Sequence, residues 1–241
     1  MHSPVRILAV ILSSGFLALI PPSVFGQSGN FVISQHGKPV GSASYSFSAG
    51  PQGNDSTSMV RVEIQGLNYS LSKTEALSAA NHLRRAQLSA TVNGSAVTVI
   101  AAPDGAQMVI NISANGHSTA TRLTPRSYAV FLPDFDPGAL QTLLTLAAAN
   151  NNRDLWAIIP KGAGTVSSIQ LATYADEQGT LGGKPVAVHH LVATMGSAVT
   201  DIFSGPENQL LQAELPQEGF AMVRKDFVLT PPAKPGAPPS Q

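Results

Sequence analysis

The chain has 241 residues, with 14 basic and 14 acidic side chains and no formal net charge at pH 7. Charged residues make up 12% of the sequence, about half the usual share of roughly 25%. The neutral charge argues against a nucleic-acid-binding protein, which needs a basic surface to meet phosphate groups. The sequence contains no cysteine, and this excludes disulfides, thiolate metal sites and cysteine nucleophiles.

Residues 1–26 have the pattern of a secretory signal peptide. Arg6 precedes an apolar run over residues 7–20, which Pro21 and Pro22 end shortly before a cleavage site at residues 24–26. The alternative is an uncleaved membrane anchor, but the run is shorter than the roughly 20 residues that span a bilayer. We therefore predict an exported protein, periplasmic or extracellular, that has no transmembrane span after cleavage.

Alternation of apolar and polar residues dominates the next hundred positions. Val60, Val62 and Ile64 alternate with polar residues, and the same period of two recurs over residues 85–92 and 107–113. This pattern is typical of half-buried strands in an antiparallel sheet, with one face on a core and the other in water.

Turn sequences separate these runs at short intervals. Asn93-Gly94, Asp104-Gly105 and Asn115-Gly116 are strong hairpin signals, because both residues tolerate the positive φ of a type I′ turn. We predict eleven to thirteen strands linked mostly as a meander. The spacing suits a sandwich, a barrel or one large curved sheet.

One segment between the two β regions predicts a helix. Asp136 can cap the first turn and Pro137 suits the first helical position. An apolar stripe follows at helical spacing, formed by Leu140, Leu143, Leu144 and Ala147. We expect this amphipathic helix to pack on the concave face of the sheet. The alternative, a helix on a membrane surface, needs a basic polar face, whereas this one carries Gln141, Thr142 and Thr145.

The chain divides into three parts on this evidence. Residues 1–26 are the signal peptide, residues 27–230 form a single β domain, and residues 231–241 are too rich in proline to build a core and form a disordered tail. The predicted fold class is mainly β: a large curved antiparallel sheet or incomplete barrel with one amphipathic helix packed on it.

Three stretches carry a resemblance to a known fold. They are a first hairpin with Gly37 and Gly41, the helix at 136–149 before a strand at 155–160, and paired closing strands within residues 201–224. In this order the chain resembles exported bacterial proteins built on one large sheet, which are similar in fold to the lipoprotein carrier LolA. The resemblance implies a strongly curved half-barrel with a helix in its mouth and an apolar cavity over the concave face. It implies no particular binding residue.

Residues that carry chemistry are few. His189 and His190 are adjacent on a predicted strand and point to opposite faces, so one strand cannot offer both to one ion. One of them is either a pocket base or ligand, or both are ordinary strand histidines. The carboxylate pairs Asp134/Asp136 and Asp176/Glu177 are either catalytic or, respectively, a helix cap and a turn. No nucleophile elbow, phosphate loop or metal motif is present. We predict no catalytic residue, metal or cofactor, and a non-enzymatic role is favoured.

The favoured hypothesis is an exported envelope protein that binds a hydrophobic ligand, a lipid or acyl chain, in the concave face of the sheet. The alternative is a structural or assembly protein of the cell envelope that binds another protein through a sheet edge. An outer-membrane barrel and a hydrolase are less well supported. The candidate cavity residues of the favoured hypothesis are Val62, Ile64, Leu88, Ile110, Leu143 and Leu144.

Overall fold

Eight strands follow one another as hairpins through the first half of the chain, in a computed structural model that describes residues 25–231. They are β1 (Phe25–Gln35), β2 (Lys38–Gly50), β3 (Gly53–Ile64), β4 (Leu67–Ser78), β5 (Leu83–Val92), β6 (Ser95–Asp104), β7 (Gln107–Ala114) and β8 (His117–Leu123). Each strand pairs antiparallel with the next, and so this half is the predicted meander.

A helix and nine strands, most of them short, make up the second half. They are β9 (Ala129–Phe131), α1 (Pro137–Ala149), β10 (Leu155–Ile159), β11 (Thr165–Thr173), β12 (Glu177–Leu181), β13 (Lys184–Met195), β14 (Ala198–Ser204), β15 (Leu210–Leu215), β16 (Phe220–Arg224) and β17 (Phe227–Leu229). The predicted helix is confirmed. The predicted number of strands is wrong, because strands of three to five residues such as β9, β12 and β17 are too short to show an alternating pattern.

Pairing of β16 with β1 joins the two halves into one sheet. From β16 the sheet continues through β15, β14, β13, β11 and β10 to β9. The pair β9–β10 is parallel and is connected through α1, which departs from the antiparallel meander. The first half of β13 pairs with β12, which in turn pairs with β17, so these three form an outer wing.

The sheet curves round without closing. Within residues 25–231, β8 pairs with β7 alone, and no backbone ladder links it to β10 or β11. Instead the Thr121 hydroxyl donates to the Ala163 carbonyl in the β10–β11 turn, and Gly164 of that turn lies against Ile110. The predicted fold class, a large curved antiparallel sheet or incomplete barrel with one helix packed on it, is confirmed.

The hairpin turns agree with the sequence at two of the three predicted positions. Asn93 and Gly94 have φ of 50° and 84°, and Asn115 and Gly116 have 52° and 76°, as a type I′ turn requires. At Asp104-Gly105 only the glycine has a positive φ, 59°. The prediction therefore holds where asparagine, which tolerates the left-handed region well, takes the first position.

Helix α1 begins where the sequence places its cap. The Asp136 carboxylate accepts from the amides of Gly138 and Ala139 at 2.9 and 3.1 Å, and Pro137 opens the first turn. The helix is enclosed more completely than its apolar stripe indicates, because Gln141 and Thr142 are buried too. It therefore fills part of the concave interior instead of lying on its surface.

A hydrogen-bond network satisfies the buried polar side of the helix. The Gln141 side-chain oxygen accepts from the Tyr45 hydroxyl at 3.0 Å and from the Leu210 amide at 2.8 Å. Its side-chain nitrogen donates to the Asn208 carbonyl at 3.0 Å. Burial raises the pKa of Tyr45 to about 12, and the nearby Arg224 lowers it less. The phenol thus stays a neutral donor that connects β2 to the helix.

Candidate functional site

The concave face of the sheet is apolar, as the alternation predicts. Inward side chains of β3 to β7 form one continuous core with the helix and β9. A separate small cluster on the outer face, made of Val188, Phe203, Leu211 and Phe227, holds the β12–β17 wing against the sheet. The helix fills the part of the concavity next to β2, β3 and β15, and this leaves the part over β4 to β7 for a cavity.

That cavity has a volume of about 480 Å³. Small-molecule sites commonly have ~300–1,000 Å³ and mostly apolar walls. The sheet contributes Leu67, Tyr69, Leu88, Ala90, Val92, Val97, Val99, Ile112 and Ala114. The segment before α1 and the β10–β11 turn cover it, with Leu132, Pro133, Asp134, Phe135, Ile159, Pro160, Lys161 and Gly162. The walls are thus mainly apolar.

Three polar side chains border this apolar cavity. Lys161 and Asp134 are both well exposed, and their charged atoms are 3.5 Å apart at the rim. Burial raises the pKa of Tyr69, and the Asp134 and Asp136 carboxylates raise it further, so the phenol is neutral at every physiological pH. A ligand with an apolar body and one polar end would therefore meet hydrocarbon inside and charge at the rim.

The six predicted cavity residues occupy three kinds of position. Leu88 lines the cavity. Val62 and Ile110 are fully buried in the core, Leu143 is buried on the helix, and Ile64 packs half-buried against the same core. Leu144 borders a different hollow of about 300 Å³ near the end of α1. Contact of any of the six with a ligand stays a prediction.

A larger hollow of about 810 Å³ lies on the outer face of β2 to β6. It is open to solvent, and its outward side chains are mostly serine and threonine, including Ser44, Ser72, Ser89 and Thr98. A hydrocarbon chain on this surface would cover hydroxyl groups without forming hydrogen bonds to them, which is unfavourable. The concave cavity is therefore the better candidate for an apolar ligand.

A buried ion cluster beside the cavity was not predicted. Lys73 Nζ lies 2.9 Å from Glu75 Oε2 and 2.7 Å from Asp136 Oδ2, and the three side chains are at most 1% exposed. The Phe131 amide donates to the other Glu75 oxygen at 2.9 Å, and the Lys73 ammonium also donates to the Phe131 carbonyl at 3.3 Å. The cluster thus ties β4, β9 and the start of α1 together.

One lysine faces two carboxylates in this cluster, and backbone groups offset the second negative charge. Asp136 caps α1, where the helix dipole and the free amides favour an anion. Burial alone would lower the pKa of Lys73, but Asp136 and Glu75 outweigh it and raise that pKa, so the lysine stays charged. Solvent does not reach the cluster, and its contacts join the helix to the sheet.

The sequence contains one signal for this cluster. Lys73 and Glu75 occupy the same alternate positions of β4 as the buried Leu71 and Leu77. Two opposite charges on the apolar face of a strand indicate a buried pair, because an isolated buried charge is strongly unfavourable. The distant partner, Asp136, has no such local signal beyond its role as a cap.

The two histidines lie on opposite faces of β13, as predicted, and each meets a carboxylate. His189 Nδ1 is 2.9 Å from Asp176 Oδ1. His190 Nε2 is 2.9 Å from Asp201 Oδ1, its Nδ1 is 3.4 Å from Glu177 Oε1, and its ring stacks on Phe203.

In residues 25–231 no group of three or more histidine, aspartate or glutamate side chains is placed to hold a metal ion. The helix of this region is not long and apolar enough to cross a membrane.

The sequence matches no protein-family model and no curated protein. Among solved structures, the chain is similar to the crystal structure of a β-barrel-like protein of the domain of unknown function DUF1849 from Brucella abortus. The TM-score is 0.53 at 10% sequence identity, over 87% of this chain and 98% of that chain. The chain has a β-barrel-like fold. The resemblance to LolA-like proteins and the export of the chain stay predictions.

Proposed function

We propose that this protein is an exported envelope protein that binds a lipid or another molecule with an acyl chain in the cavity over β4 to β7. The observation that carries the proposal is a mainly apolar cavity of about 480 Å³ between the concave face of the sheet and the segment before α1. Burial of hydrocarbon gains about 25 cal/mol for each Å² removed from water, and so such walls favour an apolar guest. The signal-peptide pattern at residues 1–26, which lies outside the described residues except for Phe25 and Gly26, supports export.

The rim favours one orientation of the guest. Lys161 offers an exposed ammonium beside the cavity, and its partner Asp134 is itself exposed, so the pair is held only weakly. An anionic head group can compete for Lys161 while its chain lies among Leu88, Val97 and Ile112. The preferred ligand is therefore an anionic amphiphile with one acyl chain inside the cavity.

Replacement of Ala90 by phenylalanine tests the proposal. Ala90 lies on the inner face of β5 in the cavity wall, and a ring there occupies the space of the guest. We expect the delipidated wild type to bind dansyl-labelled undecanoic acid saturably at one site. We expect Ala90→Phe to weaken that binding at least tenfold, which is about 1.4 kcal/mol. Fluorescence titration measures both.

The matched control is Ala96→Phe. Ala96 is exposed on the outer face of β6, the strand that pairs with β5, so the same ring is added outside the cavity. This variant should bind the probe as the wild type does. A delipidated wild type that takes up no probe, or an Ala90→Phe variant with full affinity, would contradict the proposal.

The second candidate function, binding of another envelope protein through a sheet edge, is favoured by β8. Within residues 25–231 this strand pairs on one side only, and most of its side chains are exposed. A strand with a free row of amides and carbonyls can accept a further strand from a partner. On this hypothesis the proline-rich residues 231–241, which lie outside the described residues except for Pro231, serve as a tether or spacer.

A single thiol tests the second candidate. Because the chain has no cysteine, Ala120→Cys on β8 introduces the only one, and Ser89→Cys in the middle of the sheet is the control. We expect a thiol-reactive crosslinker to trap one discrete partner at position 120 and none at position 89, in cells that produce the protein. Equal crosslinking at both positions, or none at 120, would count against edge binding.

A further inference from the structure

Two cavities of this protein lie back to back. The second has a volume of about 160 Å³ and is walled by apolar side chains of α1 and of β13, β15 and β16, namely Leu140, Met195, Ala213, Leu215, Phe220 and Met222. It shares five residues with the cavity over β4 to β7: Leu132, Pro133, Asp134, Phe135 and Ile159. A single layer of side chains therefore separates the two spaces.

The ring of Phe135 forms the centre of that layer. It packs against Tyr69, with ring centroids 6.4 Å apart, and against Phe220, with centroids 4.8 Å apart and ring planes at 67° to each other. Tyr69 lines the larger cavity only and Phe220 lines the smaller cavity only. The ring of Phe135 thus lies between the two cavities and contacts one aromatic side chain from each.

The backbone at Phe135 is held in an unfavourable conformation. Its φ is 58°, in the left-handed region that bulky side chains rarely adopt. Such strain persists only where the surroundings enforce it, and the next residue, Asp136, is fixed by the Lys73 ion pair and the helix cap. The anchored neighbour thus places a large ring where a glycine or asparagine would fit the backbone better.

We propose that Phe135 determines ligand specificity by closing one end of the acyl-chain cavity and so limiting the length of the chain that binds. This inference rests on the proposed function of the larger cavity. The smaller cavity offers further apolar space of 160 Å³, equivalent to about five methylene groups if each takes roughly the 30 Å³ of a water molecule. With Phe135 in place, a longer chain must leave its last carbons in water.

The experiment compares chain-length preference in wild type and Phe135→Ala. Saturated fatty acids from eight to eighteen carbons displace dansyl-labelled undecanoic acid from the delipidated protein, and each affinity is plotted against length. We expect the affinity of the wild type to stop rising at an intermediate length. In Phe135→Ala the rise should continue for about five more carbons, at up to about fourfold per buried methylene, because the two cavities become one.

Two further variants keep the result interpretable. Phe135→Gly also removes the ring, and glycine suits a φ of 58° better than alanine does, so this variant should fold at least as well as Phe135→Ala and show the same preference for longer chains. Met195→Ala enlarges the smaller cavity alone and should keep the wild-type preference, since Phe135 still separates the cavities.

The outcomes separate the two proposals. If the wild type binds fatty acids and both Phe135 variants keep its length preference, the role of Phe135 is overturned while the binding function stands. If the wild type binds no fatty acid of any length, both the proposed binding function and the proposed role of Phe135 are contradicted.

Discussion

Replacement of Lys73 by methionine should lower the free energy of unfolding by about 3–5 kcal/mol, the range for breaking a buried ion pair by removal of one partner. Methionine has a similar length and no charge, so the variant leaves the carboxylates of Glu75 and Asp136 buried without a cation. The substitution should weaken the packing of α1 on the sheet most, because Asp136 is both the second partner of Lys73 and the cap of that helix. Urea unfolding followed by the fluorescence of the single tryptophan, Trp156, measures the change.

A second substitution tells charge from packing. Glu75→Gln removes one of the two carboxylate charges that Lys73→Met leaves unpaired. The side-chain oxygen of the new glutamine can still accept a hydrogen bond from the Phe131 amide. The double variant Lys73→Met/Glu75→Gln should therefore be more stable than Lys73→Met alone. As a surface control, Arg122→Ala breaks an exposed pair with Asp104 and should change stability by about 0.5 kcal/mol or less. A Lys73→Met variant as stable as this control would show that the cluster does not hold the helix.

Local pattern was sufficient to predict much of this fold. The alternation at Val60, Val62 and Ile64 gives the inward face of β3, and the Asp136-Pro137 pair gives the start of α1 to the residue. Both are properties of neighbouring residues, since strand faces follow from a period of two and a cap satisfies amides two or three positions away. The turn at Asn93-Gly94 is of the same kind.

Contacts distant in sequence could not be predicted in this way. The pairing of β1 with β16 joins residues that are about as far apart in sequence as the described residues allow. The sequence of neither strand indicates which other strand it pairs with. The strands β12 and β17 are short, and their burial depends on a small cluster outside the main core. Such elements become strands through tertiary packing, which overrides the weak local preference.

In the candidate site, too, the sequence predicts the local features but not those that depend on tertiary packing. Alternation places Leu88 and Val62 on one face, but it does not tell which of them borders empty space. That depends on the segment from Leu132 to Phe135 and on how far α1 extends over the sheet. A cavity is the volume that other elements leave unfilled, and so it is a property of the assembled fold. The sequence therefore predicts an apolar concave face, and the structure is needed to locate the cavity on it.

Replacement of Gly138 by alanine should destabilise the protein by about 1–2 kcal/mol, although alanine is the better helix former. Gly138 lies in the first turn of α1, and a Cβ there would overlap the Ser58 hydroxyl oxygen on β3. Overpacking of a core costs ~1–3 kcal/mol, against up to ~1 kcal/mol gained from helix propensity. Thermal or urea unfolding gives the net effect.

Removal of the Ser58 hydroxyl should relieve this clash. Ser58 is buried, and its hydroxyl has no hydrogen-bond partner among the described residues, so Ser58→Ala alone should be neutral or stabilising. In Ser58→Ala/Gly138→Ala the new Cβ next meets the Thr57 carbonyl and Asp136 Oδ1, both at 3.4 Å, which is ordinary contact. We expect a coupling of at least ~1 kcal/mol between the two substitutions and near wild-type stability for the pair. If the effects of the two substitutions on stability simply add, Gly138 and Ser58 are not in contact, and the helix packs on the sheet at another point. One substitution can compensate for the other only if the two residues touch.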